Sequence, residues 1–304
     1  MSESKPKIIV ILGPTSSGKS DLAVVIGKKF NGEVISADSR QVYSGLDIGT
    51  GKITKKEMRG VPHHLLDVAS PKRRFTASDF KKLADKKIEE IIKRGNLPII
   101  CGGTGFYIDT LLGEKNIPEV PPNEKLRKEL QNKSTEELFS ILKKLDPERA
   151  RTIDEKNPRR LVRAIEICHA IGKVPTLEAR SQKLESSHYD VIKIGIKVED
   201  EELKERINKR LEKRIKRGMI EEAKDLHKKG LSYKRMRELG LEYSALADYL
   251  QDKISKSEMI TRLQTEIWQY AKRQMTYFKK DKGIIWVDIY NVENLIASLN
   301  KIIK

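Results

Sequence analysis

Residues 7–20 read KIIVILGPTSSGKS. Lys7–Leu12 is an apolar run of strand length, rich in β-branched residues. Directly after it, Gly13-Pro14-Thr15-Ser16-Ser17-Gly18-Lys19-Ser20 fits G-x-x-x-x-G-K-[ST]. The pattern from Ser20 to Phe30 is helical. Strand, glycine-rich loop and helix in this order give the motif its meaning. The glycines let backbone N–H groups turn toward phosphate oxygens, and the helix N-terminus adds favourable partial charge. Lys19 is placed to neutralise a distal phosphate, and the Ser20 hydroxyl to ligate Mg²⁺. The loop calls for a diphosphate or triphosphate without saying which.

Outward from this loop, strand and helix alternate. Glu33–Ala37 (EVISA) predicts a second strand, Ala77–Arg94 a helix, and Leu97–Cys101 (LPIIC) a third strand closed by Gly102-Gly103. Strands joined by helices predict a parallel sheet covered on its faces. The composition changes at Pro118–Pro122, and the stretch to about Ser187 is charged and helical in pattern. Val191–Val198 (VIKIGIKV) returns to strand alternation, followed by basic helices and a late strand, Ile284–Asp288. The expected fold class is α/β: a P-loop NTPase-like parallel sheet flanked by helices, with an inserted all-helical domain. The core is expected to span residues 1–118 and 189–304, and the insertion residues 119–188.

The 304 residues are 35% charged and carry a net charge of +17, which favours a polyanionic partner such as nucleic acid. Cys101 and Cys168 sit in apolar contexts without metal-ligand spacing, pointing to a reducing cytoplasm. The first residues, MSESKPK, lack the apolar run of a signal peptide, and no stretch approaches the ~20 apolar residues of a membrane helix. No membrane association is expected. No coiled-coil seam is visible, so a monomer is expected.

The second strand ends in Ser36-Ala37-Asp38-Ser39-Arg40-Gln41. Carboxyl ends of parallel strands face the ligand crevice, which places Asp38 near the phosphates. It could act as a general base, help hold Mg²⁺, or cap the next segment. Arg40 and Gln41 could donate to phosphate or base edges, or lie on the surface. The third strand ends in Gly102-Gly103-Thr104-Gly105-Phe106-Tyr107, either a tight turn or a close backbone approach with the Thr104 hydroxyl on offer. His63-His64 has no third ligand at suitable spacing. Leu203–Arg237 holds 14 Lys/Arg against 5 Asp/Glu. Arg206, Arg210, Lys213 and Arg217 lie on one helical stripe, and Leu203, Ile207, Leu211 and Ile215 on another, the expected core face. Trp268, Tyr270 and Phe278, at helical intervals with Leu263 and Ile267, are expected in the core.

Seven stretches carry a resemblance: GPTSSGKS (13–20), ISADSRQVYSGLDIGTGK (35–52), VPHHLLDV (61–68), GGTGFYI (102–108), DPERARTID and NPRRLVRAIEI (146–167), and YAKRQMTYF (270–278). In this order, over almost the whole chain, they resemble the bacterial-type tRNA dimethylallyltransferases, or tRNA isopentenyl transferases. The resemblance implies transfer of a dimethylallyl group from dimethylallyl diphosphate to the exocyclic N6 amine of the adenine 3′ of the anticodon. It implies Mg²⁺ as cofactor and the tRNA anticodon stem-loop as partner. It makes Asp38 the base, gives Thr104 a contact near the target adenine, and places Arg206 and Arg210 at the diphosphate, with Arg210 favoured. It also implies RNA contacts from Ser39, Arg40, Gln41, Arg159, Arg160, Leu161, Val162, Arg163, Arg237 and Tyr243. Two departures stand out: Ile267-Trp268-Gln269 where an arginine pair or Thr-Arg is commoner, and Tyr277 for a usual Trp. A zinc finger found on some eukaryotic relatives is missing. Rival readings are an AMP-prenylating transferase of the cytokinin type, a P-loop small-molecule kinase, and an RNA-binding module with an NTP switch.

Overall fold

The computed structural model describes residues 5–115, 118, 120–175 and 189–303. It divides into two compact units, Met1–Leu111 with His188–Lys304, and Leu112–Ser187. The edges expected from the sequence fall at 118/119 and 188/189, where residues 119 and 188 lie outside the described residues, as does 176–188 of the expected helical stretch.

The first unit is built on six strands: β1 (Lys7–Leu12), β2 (Gly32–Ser36), β3 (His63–His64), β4 (Leu97–Gly102), β5 (Asp190–Lys197) and β6 (Ile285–Asp288). They form one sheet in the order β3-β2-β4-β1-β5-β6. Every pairing is parallel. β1, between β4 and β5, has both faces covered, which explains why Ile8–Leu12 is a continuous apolar run and not an alternating one: these residues are 0–2% exposed. Ile9 and Ile11 pack with Leu22 and Ile26 of the helix Lys19–Lys29 and with Leu295 and Leu299 of the helix Val292–Ile303. A second cluster gathers Leu203, Ile207 and Leu211 of the helix Asp200–Lys216 with Leu263 and Ile267 of the helix Lys256–Phe278, around Tyr43 and Leu46. Ile215 packs at its edge, partly buried. Among the described residues no helix is long and apolar enough to cross a membrane.

β3 is absent from the sequence-based expectation. His63 and His64 pair with Val34 and Ile35. His63 Nδ1 lies 2.8 Å from the Val61 carbonyl, and His64 Nε2 lies 2.6 Å from a Glu33 carboxylate oxygen. Glu33, at the amino end of β2, also accepts from Arg94 Nε and Nη2 at 3.0 and 2.8 Å and from Asn96 at 2.7 Å. Burial alone would raise its pKa, but these donors outweigh it and hold the carboxyl down at about 2. The folded value lies below the unfolded one. The stabilisation is therefore complete above about pH 4.5 and lost as pH falls toward 2. Glu33→Gln is expected to cost about 3 kcal/mol at pH 7 and to flatten the acid limb of stability. Urea midpoints of both proteins at pH 7 and pH 3 check this; a difference independent of pH would contradict it.

The second unit carries the helices Glu124–Leu130, Thr135–Leu145, Pro147–Thr152 and Pro158–Ile171. The last begins as its sequence suggests: Asn157 caps the Arg160 N–H, and Pro158 occupies the first turn, where no donor is missed. Leu161, Ala164, Ile165 and Cys168, spaced three and four apart, form its buried stripe with Leu138 and Leu142. Glu166, its carboxylate fully buried, accepts from the Asn123 N–H, from Arg127 and from Arg163.

Candidate active site

Three strand ends supply the site. β1 runs into the glycine loop, β2 into Asp38, and β4 into Gly103-Thr104. Gly102 shows how tightly the last two meet: a Cβ there would lie 2.1 Å from the Ala37 carbonyl oxygen. Only glycine admits that approach. It lets the Ala37 N–H donate to the Cys101 carbonyl at 2.8 Å and the Ser39 N–H to Thr104 Oγ1 at 3.1 Å. Gly18, at φ +95° with the Ile289 side chain 2.1 Å from where a Cβ would stand, turns the chain into the helix Lys19–Lys29.

The loop is a cradle with a cation at its base. Lys19 Nζ donates to the Pro14 carbonyl at 2.6 Å. Burial, with Arg210 adding to it, lowers its pKa to about 8 against the opposing pull of Cys101 and Asp38. A cation held in this way gains most from an incoming anion. Ser16–Asp21, Arg206, Arg210 and Tyr290 line a cavity of about 570 Å³ over the loop. Gln274, buried on the helix Lys256–Phe278, staples the loop in place: its Oε1 accepts from the Thr15 N–H at 2.9 Å and its Nε2 donates to the Gly103 carbonyl at 2.8 Å. Gln274 lies in the YAKRQMTYF stretch, which gave no hint of this role.

Asp38 caps the segment after β2, one of the roles its position allowed. Its Oδ1 accepts from the Arg40 and Gln41 N–H groups at 2.8 and 3.3 Å, which fixes the turn after β2. It also lines a small pocket of about 80 Å³ with Lys19, Ser20, Gln41, Arg210 and Tyr270. Tyr270 is thereby corrected: it does not belong to the core with Phe278 but lines this pocket. Its phenol is pushed up to about 12 by burial and the neighbouring Asp38. Cys101, on the wall of the same pocket, has its thiol pushed up to about 12 by burial. It is no nucleophile at neutral pH.

The arginine stripe is more specific than its spacing suggested. Arg210 Nη2 donates to the Gly51 carbonyl at 2.8 Å, and burial followed by the nearby Arg214 lowers its pKa. Arg206 is held by Glu202 at 2.6 Å and by the Tyr290 hydroxyl at 3.1 Å. Arg214, unremarked in the sequence, is buried and donates to the Gly49 carbonyl at 2.6 Å and to Glu242 at 3.0 Å. On the donor side of the same loop, Glu222 accepts the N–H groups of Asp47, Ile48 and Gly49 at 2.9, 2.7 and 2.9 Å and the Tyr243 hydroxyl at 2.6 Å. The loop that presents Gly51 to Arg210 is thus gripped through its own backbone.

Two of the expected RNA contacts are corrected. Tyr243 is 1% exposed, with its ring in the core and its hydroxyl spent on Glu222. Leu161 is fully buried within the second unit. Neither offers a side-chain surface to RNA. Arg163 is tied to Glu166 and to the Val120 carbonyl, and Arg237 to Asp248 and Gln251. Val162 is half-buried, while Arg159 and Arg160 are exposed. Among the described residues the Arg160 guanidinium has only a 3.7 Å approach to Asp154. Ser39, Arg40, Gln41 and Thr104 lie together at the mouth of the Asp38 turn.

Comparison with known proteins bears on what this site does. The model of the IPP transferase family matches residues 41–281. The tRNA dimethylallyltransferase of Halalkalibacterium halodurans is 39% identical over 294 residues, which cover 95% of this chain and 93% of that protein. Its counterpart in Geobacillus thermodenitrificans is 38% identical over 303 residues, covering 98% and 95%. Among solved structures, the full-length tRNA isopentenylpyrophosphate transferase from Bacillus halodurans aligns with a TM-score of 0.71 at 37% identity, over 97% of this chain and 96% of that one. A eukaryotic dimethylallyltransferase acting on tRNA aligns with a TM-score of 0.83 at 27% identity, over 98% of this chain and 79% of that one.

Proposed function

The chain belongs to the IPP transferase family, and from that premise we propose that it transfers a dimethylallyl group from dimethylallyl diphosphate to the N6 amine of the adenine immediately 3′ of a tRNA anticodon. The observation that carries this reading is the pocket in which Asp38, Lys19, Ser20 and Arg210 converge. A carboxylate beside a phosphate cradle is what prenylation of an aromatic amine needs.

The diphosphate of the donor would sit on the backbone N–H groups of Ser16–Ser20, with Lys19 and Arg210 on its oxygens. The adenine N6 lone pair forms the new bond to C1 of the dimethylallyl group. The C1–O bond breaks, and diphosphate leaves with its electron pair. The N6 proton passes to Asp38, whose Oδ1 is engaged with the turn and whose Oδ2 has no hydrogen bond among the described residues. Negative charge on the leaving oxygens grows in the transition state, so Lys19 and Arg210 stabilise that state more than the ground state. The Thr104 hydroxyl, set by the Ser39 N–H, and the neighbouring Arg40 and Gln41 would orient the base. To reach Asp38 the adenine must leave the anticodon-loop stack, which costs less than opening a duplex.

Among the described residues no three His, Cys, Asp or Glu side chains form a metal cluster. Ser20 and Asp38 nevertheless line one pocket, and hard oxygen donors suit a Mg²⁺ ion that completes its shell with water and phosphate oxygens. When bound, it would offset charge on the diphosphate. A single chain acting in the cytoplasm completes the proposal.

Binding of labelled dimethylallyl diphosphate tests the donor. Unlabelled inorganic diphosphate should displace it, while ATP should need concentrations at least about tenfold higher. ATP competing on equal terms would favour the kinase reading. On the RNA side, Arg159→Ala with Arg160→Ala should weaken binding of the stem-loop and lower the slope of log K against log salt by about 1.5. An unchanged slope would put the phosphates elsewhere.

A further inference from the structure

The helix Asp200–Lys216 carries more cations than the phosphate loop uses. Gly51, Ile53, Glu57, Arg206 and Arg210 line the cavity over the loop and also line an adjoining cavity of about 650 Å³. Lys55, Lys213, Arg214 and Arg217 belong to the second cavity and not to the first. Residues 206 to 217 extend about 16 Å along the helix, so the stripe continues well past the P-loop.

Two ordinary explanations fall short. Cations at a helix C-terminus complement the macrodipole, but the last turn holds Lys213, Arg214 and Lys216, with Arg217 at the cap, against a dipole worth about half a charge. Neutralisation by local acids also falls short. Asp47 and Asp67 both pair with Lys52, at 2.6 and 2.5 Å, and Glu57, which closes the capping box with Thr54 and also feels Arg217 and Arg210, is a single carboxylate among the remaining cations of the cavity. Among the described residues no ion pair holds Lys55, Lys213 or Arg217. Buried Arg214 spends Nη1 on Gly49 and Glu242 and leaves its Nε without a partner.

We propose that this cavity is a second anion subsite, which receives inorganic diphosphate from the P-loop crevice and holds it through Lys213 and Arg217 on its way out. The proposal rests on the prenyl-transfer reading, in which diphosphate is the product. Arg210 lines both cavities. The concave wall shared with the P-loop cavity favours a small anion arriving from inside over a phosphate of the RNA backbone.

Calorimetric titration of the full chain with inorganic diphosphate tests this. The wild type should bind two diphosphates. Lys213→Ala with Arg217→Ala, both exposed positions, should keep one site at wild-type affinity and weaken the other by at least about tenfold. Lys19→Ala should remove the site that the double variant keeps. A single site in the wild type, or two unchanged sites in the double variant, overturns the proposal. So does displacement, by an anticodon stem-loop, of the diphosphate that survives Lys19→Ala, because the cavity would then belong to RNA. Two wild-type sites that both ignore Lys19→Ala would overturn the P-loop reading, and this proposal with it.

Discussion

Asp38→Asn is expected to lower turnover by about 10²- to 10⁴-fold while stem-loop affinity stays within about twofold of wild type. The choice of Asn separates two roles. Its amide oxygen can still accept the Arg40 and Gln41 N–H groups, so the turn that carries Ser39 to Gln41 keeps its shape. What is lost is a group able to take the N6 proton. Asp38→Ala removes both, and its larger defect would include a looser turn, worth about 1 kcal/mol for a lost cap of this kind. Single-turnover rates at saturating donor and RNA report the chemistry without product release. Wild-type turnover by Asp38→Asn would remove Asp38 from the role of base.

Lys19→Ala is expected to weaken diphosphate binding at the P-loop by about 10²- to 10³-fold, the worth of a charge-assisted contact in a site shielded from water. The depressed pKa of Lys19 adds a signature that simple loss of affinity lacks. The free side chain holds its proton below about pH 8 and releases it above. A bound diphosphate restores the charge, so its affinity should fall as pH rises through 8, and binding near pH 8 should take up a proton. Calorimetry in two buffers of different ionisation enthalpy measures that uptake. Diphosphate also titrates near this range, so the comparison is with Lys19→Ala, in which the lysine share of the uptake must vanish. Equal proton uptake by both proteins would mean that Lys19 does not meet the anion.

The parts of the fold and site legible in sequence are those encoded by neighbours. Ile8–Leu12 is apolar throughout because β1 is covered on both faces, and the loop and helix that follow are specified by the stretch that runs directly on, Gly13–Lys29. Asp38 and Thr104 could be placed because both follow strand ends. What escaped depends on partners far along the chain. Gln274 meets Gly103 across 171 residues and Thr15 across 259. Tyr270 keeps a helical interval from Leu263 and Ile267, but the buried stripe of that helix runs through Leu263, Ile267, Ala271, Gln274 and Phe278, and Tyr270 stands beside it, where it lines a pocket. Glu222 and Arg214 grip the backbone of Asp47, Ile48 and Gly49, and backbone recognition leaves no residue-type signal in the loop. β3, two residues long, is too short for any periodicity. The burial of Leu161 was available: Leu161, Ala164, Ile165 and Cys168 already trace an apolar stripe on a helix announced by Asn157-Pro158.

The central claim is that one pocket joins a prenyl diphosphate to an RNA base. It is tested most directly by incubating the full chain with Mg²⁺, dimethylallyl diphosphate and an unmodified anticodon stem-loop, then locating any added mass by fragmentation mass spectrometry. The expected product carries one dimethylallyl group on the adenine 3′ of the anticodon, and Asp38→Asn yields almost none. Unmodified RNA beside prenylated AMP in a parallel reaction, or no prenylation of either, would contradict the account.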